Sequence, residues 1–340
     1  MSDEIILQEQ GEPVAQEQPA MAQEALEFAP APPPEIGRVE ASRRFSRIGF
    51  ALLAMVAVQQ GGAIALYTLI GRFPALAGNT WLPILANFLP LYLLALPAFI
   101  LILRGQKPMP RQGEKRRVPG GIVAQFAFAG YLSMILSNLV VGLGLYALIG
   151  MLKGSEAANP LTSLVMDGNP FAVLPFALLG APLLEEYVFR GMLLKHLGAF
   201  GAKPYILFSA LTFALFHANL AQTVYAFALG LIFAGLTYYS GTIKYAVIAH
   251  MGINLVGSGL PVLALRLGGD LGVPIVGVTA LGFAVAGIVS AALLLPKRNK
   301  LALVFEPASM LLPKGVMVQN AGMALFIVVL AALTVVVLVV

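Results

Sequence analysis

Glu185 and Glu186 stand side by side, with Arg190 one turn on, inside the apolar run LLEEYVFRGMLL at residues 183–194. Two more polar side chains interrupt apolar stretches downstream. In FALFHANL, His217 follows Phe213 by four residues; in HMGIN, His250 precedes Asn254 by four. Carboxylate, imidazole and carboxamide are the groups that peptide hydrolysis requires. Water must lose a proton to a base, the leaving amine must gain one, and the tetrahedral oxygen needs donors. An ionisable group at the centre of a bilayer costs at least about 2.5 kcal/mol on insertion scales and is by default functional.

Helix geometry separates the two glutamates. At 3.6 residues per turn, positions four apart nearly stack, so Glu186 faces Arg190 with the acid on the N-terminal side. Glu185 is turned away and is the better candidate for a base. A buried ion pair that only locks helices accounts for Glu186 and Arg190 as well as a functional role does. It accounts poorly for Glu185, His217 and His250 together. Pro182 lacks an N–H and is expected to free the carbonyl of Leu178 and kink the helix just before the glutamates. His196, beside Lys195 at a helix end, reads as interfacial.

These residues must be positioned by membrane helices. The chain has 340 residues, 59% hydrophobic and 11% charged, with mean hydropathy +0.87. A soluble domain carries about 25% charged residues. The fold class is therefore all-α and polytopic, with an intramembrane polar cavity. The net charge of +5 needs no nucleic-acid partner, because basic residues gather in cytoplasmic loops. The absence of cysteine excludes disulfides, thiolate catalysis and Cys-based metal sites. About nine spans are expected, over 48–71, 82–103, 122–150, 171–194, 204–220, 222–240, 245–264, 274–295 and 321–340. Lys/Arg clusters before the first span and after the second, fourth, sixth and eighth place the N-terminus in the cytoplasm and the protein in the cytoplasmic membrane. Glycines at 272, 277, 282 and 287 predict close helix packing.

Four regions follow. Residues 1–40 read as a disordered acidic tail, since the first 36 hold eight acids and no Lys or Arg. Residues 41–121 carry two helices and a basic loop, 122–296 the segment with the candidate site, and 297–340 a basic loop and a last helix.

In order along the chain, Glu185-Glu186-x-x-x-Arg190, Phe213-x-x-x-His217 and His250-x-x-x-Asn254 resemble the signature of the CAAX prenyl protease and bacteriocin-processing (CPBP, or Abi) family of intramembrane endopeptidases. The resemblance spans roughly residues 120–296. It implies that Glu185 is the base activating water and that His217 assists. His250 and Asn254 would steady the oxyanion, with Glu186, Arg190 and Phe213 in support. It implies a membrane-associated peptide or protein as substrate. The family has been described both as metal-dependent and as glutamate-dependent without metal. A zinc held by Glu185, His217 and His250 is chemically admissible. Asn is a poor zinc ligand, and Asn254 beside His250 favours donor work.

Rival protease classes lack their residues. There is no His-Glu-x-x-His; VGSG puts Val256 where a serine protease of the rhomboid type needs glycine, leaving Ser258 to packing; LGGD lacks the first glycine of an aspartyl motif. The same polar residues would also suit a proton-coupled transporter or channel, or a non-catalytic scaffold that binds membrane peptides. Asn254 beside His250 is of use to a hydrolase and of no obvious use to a proton relay.

Overall fold

Apolar helices account for most of the described residues. The computed structural model describes residues 32–76, 78–141, 144, 147, 150–151, 169–297, 305 and 307–339. The chain divides into Met1–Pro33 and Pro34–Val340, and the second unit carries the helices. The acidic tail up to residue 31, most of residues 142–149, Lys153, Glu156, Asp167, Arg298, Lys300 and Glu306 lie outside the described residues.

The helices are α1 (Arg38–Gly71), α2 (Leu82–Leu103), α3 (Gly120–Leu139), α4 (Pro170–Phe200), α5 (Ala202–Phe216), α6 (Leu220–Ser240), α7 (Lys244–Leu267), α8 (Gly269–Leu294) and α9 (Ala321–Val339). Among the described residues the only strand-like pairing is an isolated bridge between Glu35 and Leu311. Among the described residues seven of these, all but α5 and α9, count as long and apolar enough to cross a membrane. Nine apolar helices correspond to the nine expected spans, and seven of them are candidate spans among the described residues. α5 has 15 residues, about 22 Å at 1.5 Å per residue, short of a hydrocarbon core of about 30 Å.

Small residues set the closest approaches. α5 and α6 pack across Gly230, where a Cβ would lie 2.8 Å from Ala210 Cα. α3 lies against α6, α7 and α8. At Gly287 of α8 a Cβ would meet the Phe128 carbonyl at 2.6 Å, whereas Gly277 and Gly282 face open space. At Gly272 a Cβ would meet the Ala264 carbonyl at 2.6 Å, so the glycine series serves packing at its two ends and not in its middle, where Val278, Leu281 and Val285 present an apolar outer face. α1 packs on α2 and α9. Gly322 sits directly on the Ser46 backbone, and its N–H donates to Ser46 Oγ at 2.9 Å.

The basic segments meet at one end of the bundle. Arg44 donates to the carbonyls of Lys107 and His196, at 2.8 and 3.5 Å. The loop after α2 is bonded to the end of α4 through Met109 N–H to Lys195 O, and to the end of α6 through Arg116 N–H to Ser240 O. Pro34–Ile36 is tied to Leu311 by two backbone bonds, and α1 starts at Arg38, inside the expected 1–40 segment. His196, expected at an interface, is instead only 2% exposed, covered by this loop and by Arg44.

Candidate active site

α4 is interrupted twice by π-helical turns, at Phe176–Gly180 and Glu186–Met192. Such wide turns recur at functional sites. In the first, the Ala181 N–H reaches Phe176 O, five residues back. The next amide in that pattern would belong to Pro182 and serve Ala177 O. Proline has none, and Asn254 Nδ2 of α7 donates to Ala177 O instead, at 2.9 Å. The expectation that Leu178 would be the freed carbonyl assumed α-helical spacing; the π-turn moves the vacancy one residue earlier. In the second wide turn, the carbonyls of Phe189 and Arg190 accept from Ser209 Oγ at 2.7 Å and Tyr205 OH at 3.1 Å, both from α5. These bonds fix α4 against α5 where the glutamates sit.

Glu185 and Glu186 point to different surroundings. Glu186 is fully buried. Its Oε2 lies 3.2 Å from Arg190 Nε, and its Oε1 accepts from His250 Nδ1 at 2.9 Å. Arg190 is also fully buried, with its guanidinium 4.1 Å above the Phe213 ring and 5.4 Å from that of Phe233. The approach to Glu186 is an ion pair without hydrogen-bond alignment, and no guanidinium nitrogen has a hydrogen-bond partner among the described residues. Glu185 retains 19% exposure, with Oε2 3.7 Å from His250 Nε2.

His250 is held on two sides. Glu186 takes Nδ1, and the Phe233 ring stacks on the imidazole at 4.9 Å and 22°. His217 does not lie within α5, as expected from its apolar flanks, but caps it. Its Nδ1 is 2.8 Å from Phe213 O. A carbonyl can only accept, so that nitrogen carries the proton, and in the neutral ring Nε2 is left as the acceptor. The chain turns at Ala218, which adopts φ 46°. That is the left-handed region, unfavourable for a side chain with a Cβ. Asn219 then starts α6 by accepting from the N–H groups of Ala221 and Gln222.

Glu185, His217, His250 and Asn254 line one cavity of about 420 Å³, to which α2, α3, α4, α6 and α7 contribute walls. Glu186 and Arg190 lie behind it. The site residues thus come from helices distant in sequence. Gln222, Tyr225 and Ser258 also line the cavity and were not singled out from the sequence as functional. Gln222 and Tyr225 both belong to α6. Their spacing of three residues puts both on one face of α6, the signal that could have found them. Ser258, assigned to packing, lines the cavity from a wide turn of α7, Leu255–Gly259. Among the described residues no three His, Asp or Glu side chains group as a metal site requires.

Residues 167–256 match the family model described as type II CAAX prenyl endopeptidase Rce1-like. The CAAX-protease resemblance holds. The matched segment contains all seven motif residues and is narrower than the 120–296 expected from the motifs. It leaves α1, α2, α3, α8 and α9 outside. The chain is also 27% identical over 168 residues to "Putative membrane peptidase YdiL" of Bacillus subtilis (strain 168). That similarity covers 48% of this chain and 66% of the relative, just under two thirds of its length. No solved structure matches the chain.

Proposed function

We propose that the protein is an intramembrane endopeptidase that hydrolyses a peptide bond in a membrane-associated protein or peptide. The observation that carries this reading is the shared cavity: an acid, two imidazoles and a carboxamide from separate helices reach the same hollow. The similarity to membrane peptidases supports it.

In the proposed reaction a water enters beside Glu185. The Glu185 carboxylate takes its proton, helped by His217 Nε2, and the hydroxyl oxygen attacks the scissile carbonyl. Charge develops on the carbonyl oxygen. The second Nδ2 hydrogen of Asn254 is available to that oxygen, and so is Nε2–H of His250 when the ring is protonated, since Nδ1–H is already given to Glu186. Donors aimed at such a charge in a site shielded from bulk water are worth roughly 3–4 kcal/mol each. The proton held by Glu185 then passes to the leaving amine as the C–N bond breaks. Glu186 orients His250 through Nδ1, and Arg190 offsets the charge of Glu186. No step is routed through zinc. The reading places the N-terminus and the basic end in the cytoplasm. Glu185 then lies about 15 residues, roughly 22 Å, from the cytoplasmic end of its helix.

The test compares the termini of membrane proteins in cells carrying the wild type and the Glu185→Gln variant. New N-termini that depend on Glu185 are expected, and they would identify the substrate. Identical terminal peptides in both strains, with equal protein levels, would overturn the proposal.

A further inference from the structure

A second concavity, of about 350 Å³, lies between the first turns of α3 and α7, outside the catalytic cavity. Arg117 and Lys244 stand at its mouth, both exposed. Neither forms an ion pair with an acid among the described residues. Below them the walls are apolar and made low by small side chains: Ala124 and Ala127 on α3, Ile248 and Ala249 on α7. From Gly120 to Ala127 the groove runs about 10 Å along the helix axis at 1.5 Å per residue. Two unpaired cations over an apolar trough that opens between membrane helices form an amphipathic receptor.

We propose that this groove binds an anionic phospholipid, with the headgroup phosphate between Arg117 and Lys244 and an acyl chain against Ala124 and Ala127. Charge complementarity selects the occupant. The cations need a negative partner at membrane-surface depth, and the trough needs an apolar one just beneath. A soluble anion would leave the trough wet, and a zwitterionic lipid would bring its own cation to the mouth. Ala249 on the groove wall immediately precedes His250, so the occupied groove and the catalytic cavity share α7. Lipid binding itself does not depend on the peptidase reading and is measured without cleavage.

The test uses the full chain carrying Trp81→Phe and Ile248→Trp, which moves the single tryptophan into the groove. The protein is reconstituted in phosphatidylcholine vesicles, and brominated phosphatidylglycerol or brominated phosphatidylcholine is titrated in as quencher. Preferential quenching by the brominated phosphatidylglycerol is expected. Arg117→Gln and Lys244→Gln should each weaken that preference about fivefold, the typical contribution of one basic residue near an anionic surface. Ala124→Leu fills the trough while leaving both cations, and should also abolish the preference. Ala124 is exposed, so the larger side chain leaves the fold intact, and unchanged melting temperature checks this. Equal quenching by the two lipids, or a preference that survives removal of both cations, overturns the proposal. So does a preference intact in Ala124→Leu, since it would reflect diffuse attraction rather than a built groove.

Discussion

Arg190→Met removes a charge and keeps an unbranched chain of similar length. In the wild type Arg190 and Glu186 both have no exposed side-chain surface, and each is the other's counter-ion at 3.2 Å. Without Arg190, the buried carboxylate keeps one partner, His250 Nδ1 at 2.9 Å. Breaking a buried pair by removing one member costs about 3–5 kcal/mol, because the remaining charge is uncompensated. Glu186→Gln should cost a comparable amount. It would leave a guanidinium with only the faces of Phe213 and Phe233, and a desolvated cation–π contact is worth about 2 kcal/mol. The double variant carries neither charge, and Gln can still accept from His250. Its loss should be smaller than either single loss, giving a coupling energy of about 3 kcal/mol or more. Reversible unfolding of the four purified proteins in one detergent, at fixed concentration, supplies the cycle. Additive losses in the double variant, or wild-type stability in Arg190→Met, would refute the pairing and reduce both residues to packing.

The remaining predictions concern the cavity and the helix contacts. Glu185→Gln should abolish proteolysis in a purified assay and leave the melting temperature unchanged, because this side chain faces the cavity rather than the packed interior. Asn254→Ala should lower turnover by roughly 10²-fold, as for loss of one oxyanion donor. It should also cost about 1–3 kcal/mol of stability by leaving Ala177 O unpaired, so activity and unfolding must both shift. Ala218→Gly should raise stability by about 1 kcal/mol, since glycine accepts φ 46° freely; a fall in melting temperature would contradict that account of the turn. Gly322→Val should separate α9 from α1, because a side chain there runs into the Ser46 backbone. Loss of cross-linking between cysteines introduced on the two helices measures it.

Much of the site could be read from the chain because its signals are local. Glu186 and Arg190 are one turn apart, and so are Phe213 and His217, so helical spacing alone brings each pair onto one face. Composition likewise suffices for an all-helical membrane fold, since apolar runs of about 20 residues have no other stable form in lipid. What could not be read depends on contacts between helices. The bond from His250 to Glu186 spans 64 positions. The burial of His196 depends on a loop from the end of α2 folding across α4. The wide turns escaped for a different reason. A π-turn inserts one extra residue into the helical count, and nothing in the run FALLGAPLLE announces where the spacing changes. That slip moved the vacant carbonyl from Leu178 to Ala177, and a separate wide turn at Leu255–Gly259 holds Ser258, which lines the cavity.

The link between Asn254 and Ala177 makes the donor supply of the cavity depend on a hydrogen that is missing. Any residue other than proline at position 182 would bring its own amide to the Ala177 carbonyl. Asn254 would then be displaced and its carboxamide left free to rotate. The tether between α4 and α7 would be lost with no change to any residue on the cavity wall. A proline that never meets substrate thus decides how many hydrogens the neighbouring helix can offer, and in which direction.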